Sequence, residues 1–163
     1  ENKITSIVNV FKNNKNVKFI LDLSILKYKN KEIKKSFPYK ILENKWPKFP
    51  PTSCMCFEKK YLKVAIKKIG FKKFPNLAID FRLAVYYSLI LKKFYIYKSH
   101  FTYYRQVNQS MDTKYIKYRS KEWWVRRKEA FDFLNYILKK NKLPINKSLD
   151  FHITNFFNKI LSL

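Results

Sequence analysis

One long stretch, from about Leu77 to Lys93, is apolar on nearly every side and limits most strongly what this chain can fold into. Phe74-Pro75-Asn76 opens the stretch, and the even distribution of its apolar residues is typical of a helix with no face left for water. Such a helix must be covered by other elements. The sequence has the material for this, with 47% hydrophobic and 18% aromatic residues, and therefore predicts a packed core.

The remaining sequence alternates short strand patterns with amphipathic helix patterns. Residues 1–13 have the apolar spacing of the end of an amphipathic helix, and β-favouring residues predict a strand at 17–23. The basic stretch 27–50 has little periodicity and predicts a long functional loop or lid. The other predicted elements are a strand at 53–57, a helix at 59–69 ended by Gly70, short strands at 94–97 and 101–105, a loop at 106–119, and helices at 121–140 and, after Pro144, 148–163.

This order predicts an α/β fold in which short strands of a mixed sheet are packed by helices and followed by a C-terminal helical pair. We place the boundary between the sheet-containing part, residues 1–119, and the helical extension, residues 120–163, in the loop before the helix at 121–140.

The chain is strongly basic, with 36 Lys plus Arg against 11 Asp plus Glu and a net charge of +25. Such a charge favours anionic partners, namely nucleic acid, anionic lipid surfaces or phosphate-bearing substrates. A second explanation is an AT-rich genome, because the excess is mostly Lys and comes with abundant Asn, Ile, Phe and Tyr and a single Gly. Both explanations stay open.

The apolar runs and the two cysteines bear on the compartment. The most apolar run, Leu83–Leu91, is shorter than the roughly 18 residues of a membrane span and is followed by two lysines. Cys54 and Cys56 suit neither a disulfide framework nor a four-ligand zinc site, and we expect buried free thiols on one face of a strand. Free thiols favour a reducing compartment, so the predicted location is the cytoplasm.

Three local patterns occur in a fixed order. They are Pro50-Pro51-Thr52-Ser53, then Asn76-Leu-Ala-Ile-Asp80-Phe-Arg82, then Leu89 to Tyr97 leading to Thr102-Tyr103-Tyr104-Arg105-Gln106. Together, over about residues 17–138, they resemble the acceptor-side half of family-2-type glycosyltransferases with the GT-A fold. The resemblance implies a partial GT-A-like unit of an inverting enzyme that moves a sugar from a nucleotide-diphosphate sugar to an acceptor hydroxyl.

The resemblance makes Asp80 the catalytic base. An inverting transferase needs a carboxylate that takes the proton of the attacking hydroxyl, and the first turn of a helix keeps a carboxylate ionised. The alternative is that Asp80 only caps its helix or pairs with Arg82.

Further site residues follow from the same motifs. Thr52 and Ser53 are expected to contact acceptor hydroxyls, although they could simply start a strand. Arg105 is expected near the donor phosphates, because guanidinium suits bidentate phosphate contacts, and its alternative is a surface arginine. Arg82 and Tyr104 belong to the matched motifs and are expected at the substrate.

Some positions depart from the family or stand beside its motifs. Val107 replaces a histidine common in the family, and Cys54 replaces a common glycine, which implies a narrower acceptor pocket. Trp46 is a candidate sugar-stacking platform, with burial as the alternative.

The donor-side ligands are missing from the sequence. The Mg²⁺ or Mn²⁺ of this family is held by an Asp-x-Asp pattern, which Asp22-Leu23-Ser24 is not. We therefore expect the metal ligands and the donor-binding half outside this chain, which would be inactive without them. The expected acceptor is a saccharide or a glycolipid in polysaccharide or glycolipid synthesis. His100 and His152 are expected to be structural.

Two further interpretations concern the basic residues. Trp123-Trp124-Val-Arg126-Arg127-Lys128 either lies on an anionic membrane, which would suit a peripheral enzyme, or docks its helix through the Trp side, and we favour docking. The alternative function is a basic nucleic-acid-binding module, supported by the charge and the many aromatics. No known nucleic-acid-binding signature is present, so specific nucleic-acid recognition is not expected.

Overall fold

The computed structural model describes residues 2–28, 31–34, 50–105 and 118–161. Its elements are α1 (Lys3–Asn13), β1 (Phe19–Tyr28), β2 (Lys31–Lys34), a 3₁₀ turn (Thr52–Cys54), β3 (Met55–Phe57), α2 (Lys59–Lys68), a second 3₁₀ turn (Phe71–Lys73), α3 (Ile79–Val85), which continues as a π-helix (Tyr86–Leu91), β4 (Phe94–Arg105), α4 (Lys121–Lys140) and α5 (Leu149–Ile160). The expected α/β fold with a mixed sheet and a C-terminal helical pair is confirmed.

The sheet is built around β1. One edge of β1 pairs antiparallel with β3 near its start and with β2 near its end, and its other edge pairs parallel with β4. Phe19 lies opposite both Phe57 of β3 and Phe94 of β4. Since β1 is buried on both faces from Phe19 to Ile25, it is the centre of the fold.

The structure corrects three strand predictions. β1 runs to Tyr28 instead of ending at residue 23, because pairing with β2 extends it. β2 falls in the stretch predicted as a loop, and all four of its residues are exposed, so no alternation of apolar and polar residues marks it. The strands expected at 94–97 and 101–105 form one continuous strand, β4.

The continuity of β4 depends on two register shifts. Asp22 lies opposite Tyr97, but the next residue, Leu23, lies opposite His100, and Ser24 lies opposite Thr102. β4 therefore carries extra residues at this point, as in a β-bulge. The shifts bring Thr102 beside the middle of β1.

The main core lies between one face of β1 and the helices. Phe19, Leu21 and Leu23 share that face and pack with buried residues of α2, α3 and α4. Phe19 stacks on Phe57 with ring centroids 4.7 Å apart. The residues from Phe81 to Leu89 are all buried, which confirms the helix predicted to have no water-exposed face. Gly70, with φ of 60°, ends the α2 segment in the left-handed conformation, as predicted.

The helical pair packs through aromatic side chains. Trp124 of α4 stacks on Phe157 of α5 at 4.6 Å, and Phe131 contacts Phe151 at 5.7 Å, so the two helices run antiparallel. Ser120 and Ser148 cap the N-termini by accepting from Trp123 N and Phe151 N, both at 3.3 Å. The expected docking of the Trp pair is confirmed for Trp124, which is buried. In the described ranges no helix combines the length and apolarity needed to cross a membrane.

Candidate functional site

Asp80 lies in the first turn of α3, where the 52–54 turn reaches it. The Thr52 hydroxyl donates to Asp80 Oδ2 at 2.5 Å, and the main-chain N–H of Phe81 donates to Asp80 Oδ1 at 2.7 Å. Pro51 precedes the turn with an extended backbone (φ −55°, ψ 158°), which directs Thr52 toward α3. Both carboxylate oxygens are thus held while the residue stays partly exposed. The first two sequence motifs meet at this hydrogen bond.

A second acid, Asp22, lies on the other side of the same turn and is completely buried. Lys3 Nζ of α1 forms an ion pair with Asp22 Oδ1 at 2.9 Å, and the Thr102 hydroxyl donates to Asp22 Oδ2 at 2.7 Å. Lys3 also donates to the Thr102 hydroxyl at 2.6 Å and to the main-chain oxygen of Ser53 at 2.9 Å. We call Lys3, Asp22, Thr102 and the Ser53 carbonyl the buried polar cluster.

The 52–54 turn connects the two acids. Thr52 bonds Asp80, and the carbonyl of the next residue, Ser53, bonds the buried polar cluster. The side chains of both residues are nevertheless exposed. The turn is therefore fixed from two directions and can present hydroxyl groups to a ligand without rearranging.

Cys54, the last residue of the turn, is buried beside the cluster. Burial, followed by the nearby charge of Asp22, raises the pKa of the Cys54 thiol to about 11, and burial also raises the pKa of Cys56. Both thiols are free, as expected, and their raised pKa values disfavour the thiolate, which is the nucleophilic form of cysteine. They do not share a strand as predicted, because β3 begins only at Met55.

Arg82 is oriented into the protein and not toward the site surface. It is 2% exposed. Its guanidinium donates two hydrogen bonds to the main-chain oxygen of Leu77, from Nε at 3.1 Å and from Nη2 at 2.7 Å. Nη2 also donates to the main-chain oxygen of Phe74. Burial lowers the pKa of the guanidinium, and the charge of Glu129 opposes this. The guanidinium of Arg82 thus holds the segment that leads into α3, and a substrate contact by this residue stays a prediction.

The other predicted site residues are on β4 or outside the described residues. Tyr104 is half-buried opposite Leu26, and Arg105 is exposed at the end of β4 opposite Lys27. Arg105 follows Thr102 by three residues on the strand, about 10 Å at strand rise, and this odd separation places the two side chains on opposite faces of β4. Trp46 lies outside the described residues, and so does Val107.

Sequence analysis missed the buried polar cluster. One signal was present, since Asp22 is the only acid in an otherwise apolar strand. No sequence pattern indicated that Lys3 pairs with Asp22. Thr102 was noted only as the first residue of the Thr102-Tyr103-Tyr104-Arg105-Gln106 motif. The pairing depends on the packing of α1 against the sheet and on the register shift in β4.

The part of the chain that the structure describes has no group of three or more His, Cys, Asp or Glu residues that could hold a metal ion. His100 is half-buried on β4, and His152 is exposed on α5 beside Phe151.

No family model, curated protein or solved structure matches this chain. The function is therefore argued from the geometry of the site.

Proposed function

We propose that this chain is the acceptor-side part of an inverting glycosyltransferase with a GT-A-like fold. The observation that carries the proposal is the hydrogen bond from Thr52 to Asp80. It joins two sequence motifs that in this enzyme class lie together under the acceptor, and it leaves a partly exposed carboxylate at the start of a buried helix.

Asp80 would act as the general base. Its carboxylate takes the proton of the acceptor hydroxyl as that oxygen forms a bond to the anomeric carbon, while the bond from this carbon to the nucleotide diphosphate breaks on the opposite face. Oδ1 accepts from the N–H of Phe81 and Oδ2 accepts from the Thr52 hydroxyl, so an acceptor hydroxyl would share Oδ2 with Thr52. Thr52 already donates an O–H to Oδ2, which supports the use of this oxygen as a proton acceptor.

The surrounding residues would bind the two substrates. The exposed hydroxyls of Thr52 and Ser53 suit a saccharide or glycolipid acceptor. Arg105, exposed at the end of β4, suits the phosphates of a nucleotide-sugar donor, and Tyr104, on the opposite face of the strand, would be a separate substrate contact. Trp46 as a stacking platform for the sugar remains a prediction from the sequence.

The donor and its Mg²⁺ or Mn²⁺ ion would be bound mainly outside this chain, in the cytoplasm. The described residues hold no group of three or more His, Cys, Asp or Glu side chains that could bind the metal, so no step is assigned to it. The chain alone would then lack transferase activity.

The test is Asp80→Asn in the intact gene product that carries this chain, assayed for nucleotide release from a panel of nucleotide-diphosphate sugars with and without saccharide acceptors. We expect kcat to fall by about 10²–10⁴-fold, the usual contribution of a general base, with the melting temperature unchanged. Asp150→Asn is the matched control, since Asp150 also lies in the first turn of a helix. Full activity of Asp80→Asn, or no turnover of any donor by the unchanged protein, would contradict the proposal.

One observation favours the alternative of a basic nucleic-acid-binding module. A groove of about 460 Å³ beside the end of α1 is lined by Lys12, Lys15 and Lys18 together with Val8, Phe11 and Glu58. Binding of a polyanion there would weaken steeply with salt, would be reduced by Lys12→Gln with Lys15→Gln, and would be indifferent to Asp80→Asn. Saturable nanomolar binding of one nucleic acid at 0.15 M salt would favour this alternative.

A further inference from the structure

The outward face of α5 is apolar although it is exposed. Leu149, Ile153, Phe156 and Ile160 are spaced four, three and four residues apart, which places them in one line along the helix. We call these four residues the α5 stripe. Leu149 is 75% and Phe156 is 61% exposed. Phe151 and Thr154, on the opposite side, contact α4, so α5 is anchored through the face opposite the stripe.

An aromatic cluster adjoins the C-terminal half of the stripe. Phe157, next to Phe156, stacks on Trp124, and Trp123 contacts both Trp124 and Tyr118. Tyr118 is 66% exposed. Tyr and Trp, which are apolar with one polar group, are the side chains that concentrate at membrane–water interfaces.

Cationic groups surround this apolar surface. Lys147 precedes α5 and Lys159 lies in its last turn, and both are exposed. Arg119 and Lys121 are exposed beside Trp123, at the start of α4. The one acid in α5, Asp150, is paired with Arg127 of α4. Four exposed cations therefore border the stripe and the aromatic cluster, against two acids, Asp150, which is paired with Arg127, and the exposed Glu122.

Charge decides which occupant fits the stripe. Two copies of this chain would bring +25 against +25, so electrostatic repulsion opposes self-association through α5. An anionic lipid surface is attracted by the same charge and takes up apolar side chains at the boundary between headgroups and acyl chains. We propose that α5 lies flat on an anionic membrane surface with the α5 stripe inserted at this boundary. This inference is independent of the role of Asp80.

The experiment measures binding of the purified chain to vesicles in 0.15 M salt, comparing phosphatidylglycerol–phosphatidylcholine mixtures with pure phosphatidylcholine by co-sedimentation. The test variant is Leu149→Ser with Phe156→Ser, which removes apolar surface without changing the net charge. The matched control is Val64→Ser with Ile66→Ser on α2, because those side chains are also exposed and apolar, at 49% and 40%. Thermal melting followed by circular dichroism checks that each variant folds.

We expect the unchanged chain to bind the anionic vesicles and the stripe variant to bind at least about 30-fold more weakly, since burying each large apolar side chain contributes roughly tenfold. The α2 control should bind within about threefold of the unchanged chain. If the double variant does not fold, Leu149→Ser alone, at the most exposed position of the stripe, should still lose about tenfold.

Three outcomes would overturn the proposal. Equal binding of the stripe variant and the unchanged chain would show adsorption by charge alone. An equal loss in the α2 control would show that α5 is not the membrane face. A concentration-dependent dimer in size-exclusion chromatography with light scattering, abolished by the stripe variant, would assign the stripe to a second copy of the chain.

Discussion

The carboxylate of Asp22 and the side chain of Leu149 occupy environments opposite to their chemistry. Asp22 is completely buried on the central strand with Lys3 and Thr102 against it, whereas Leu149 is three-quarters exposed on the last helix. The region around Asp22 buries charged side chains inside the sheet. The region around Leu149 exposes apolar side chains on α5, which is anchored to α4 through its opposite face.

The two regions carry different energetic consequences. A buried charge is tolerated only with its partners, so removing one partner leaves the other uncompensated and costs stability. An exposed apolar side chain buries almost nothing on folding, so its removal costs little. Substitution of Asp22, or of the buried side chains that anchor α5 to α4, should therefore lower the free energy of unfolding strongly. Substitution on the α5 stripe should hardly change it.

Trp124→Ala should have the largest effect. Trp124 is buried and stacks on Phe157, so its loss should lower the free energy of unfolding by about 3–4 kcal/mol. Urea denaturation followed by circular dichroism measures this. The nearby exposed residue Val125 gives the control, and Val125→Ala should stay within about 0.5 kcal/mol. A loss below about 1 kcal/mol for Trp124→Ala would mean that α5 is not held to α4 through this contact.

Asp22→Asn should follow, at about 2–3 kcal/mol. The amide keeps the shape of the side chain but removes the negative charge that faces Lys3. This expected loss of stability lies at the low end for a buried ion pair, because the Lys3 side chain is 27% exposed and its charge is partly screened by water. A double-mutant cycle with Lys3→Met isolates the pair. Additive effects of the two substitutions would show that the ion pair does not hold α1 to the sheet.

Alkaline pH should destabilise the region around the cluster. The folded-state pKa of Cys54 is raised from 9.0 to about 11, so the folded chain keeps a proton that the unfolded chain loses. This contribution is complete below pH 9 and is lost as the pH rises toward 11, by at most about 3 kcal/mol for the two-unit difference in pKa. Unfolding curves from pH 8 to 11 should fall less steeply for Cys54→Ala than for the unchanged chain. If stability fell equally with pH in Cys54→Ala and in the unchanged chain, Cys54 would not be the cause of the alkaline destabilisation.

Phe156→Ser should have the smallest effect on folding, within about 0.5 kcal/mol in the absence of lipid. Its neighbour Phe157 supports the comparison, because Phe157→Ser removes the partner of Trp124 and should cost more. Equal losses in urea denaturation would show that the stripe contributes to the core and is not a free surface.

The sequence predicted the elements whose patterns are local. The helices at 59–69 and 121–140, the left-handed Gly70 and the buried helix before β4 all follow from spacing within a few turns. β2 had no such pattern, since its residues are exposed on both faces, and its only signal is its pairing with β1. The continuous β4 was missed because its extra residues interrupt the strand alternation.

The candidate site was predictable only as a set of motifs. Thr52 and Asp80 were expected in one site, and the structure places their side chains in hydrogen-bond contact. Arg82 was expected at the substrate but lies in the interior, because sequence spacing does not show which way a side chain in a buried helix points. The link between Lys3 and Asp22 joins α1 to β1 through tertiary packing, which no local rule encodes.

The register shift in β4 also determines how this gene can vary in length. Because register is counted residue by residue along a strand, deleting one residue within 98–101 while Tyr97 stays opposite Asp22 would move Tyr103 to the position opposite Ser24. An aromatic ring would then replace the Thr102 hydroxyl beside the Asp22 carboxylate. A single-codon deletion there would be far more damaging than most substitutions, so insertions and deletions in descendants of this gene should avoid this short segment even where its amino acids change.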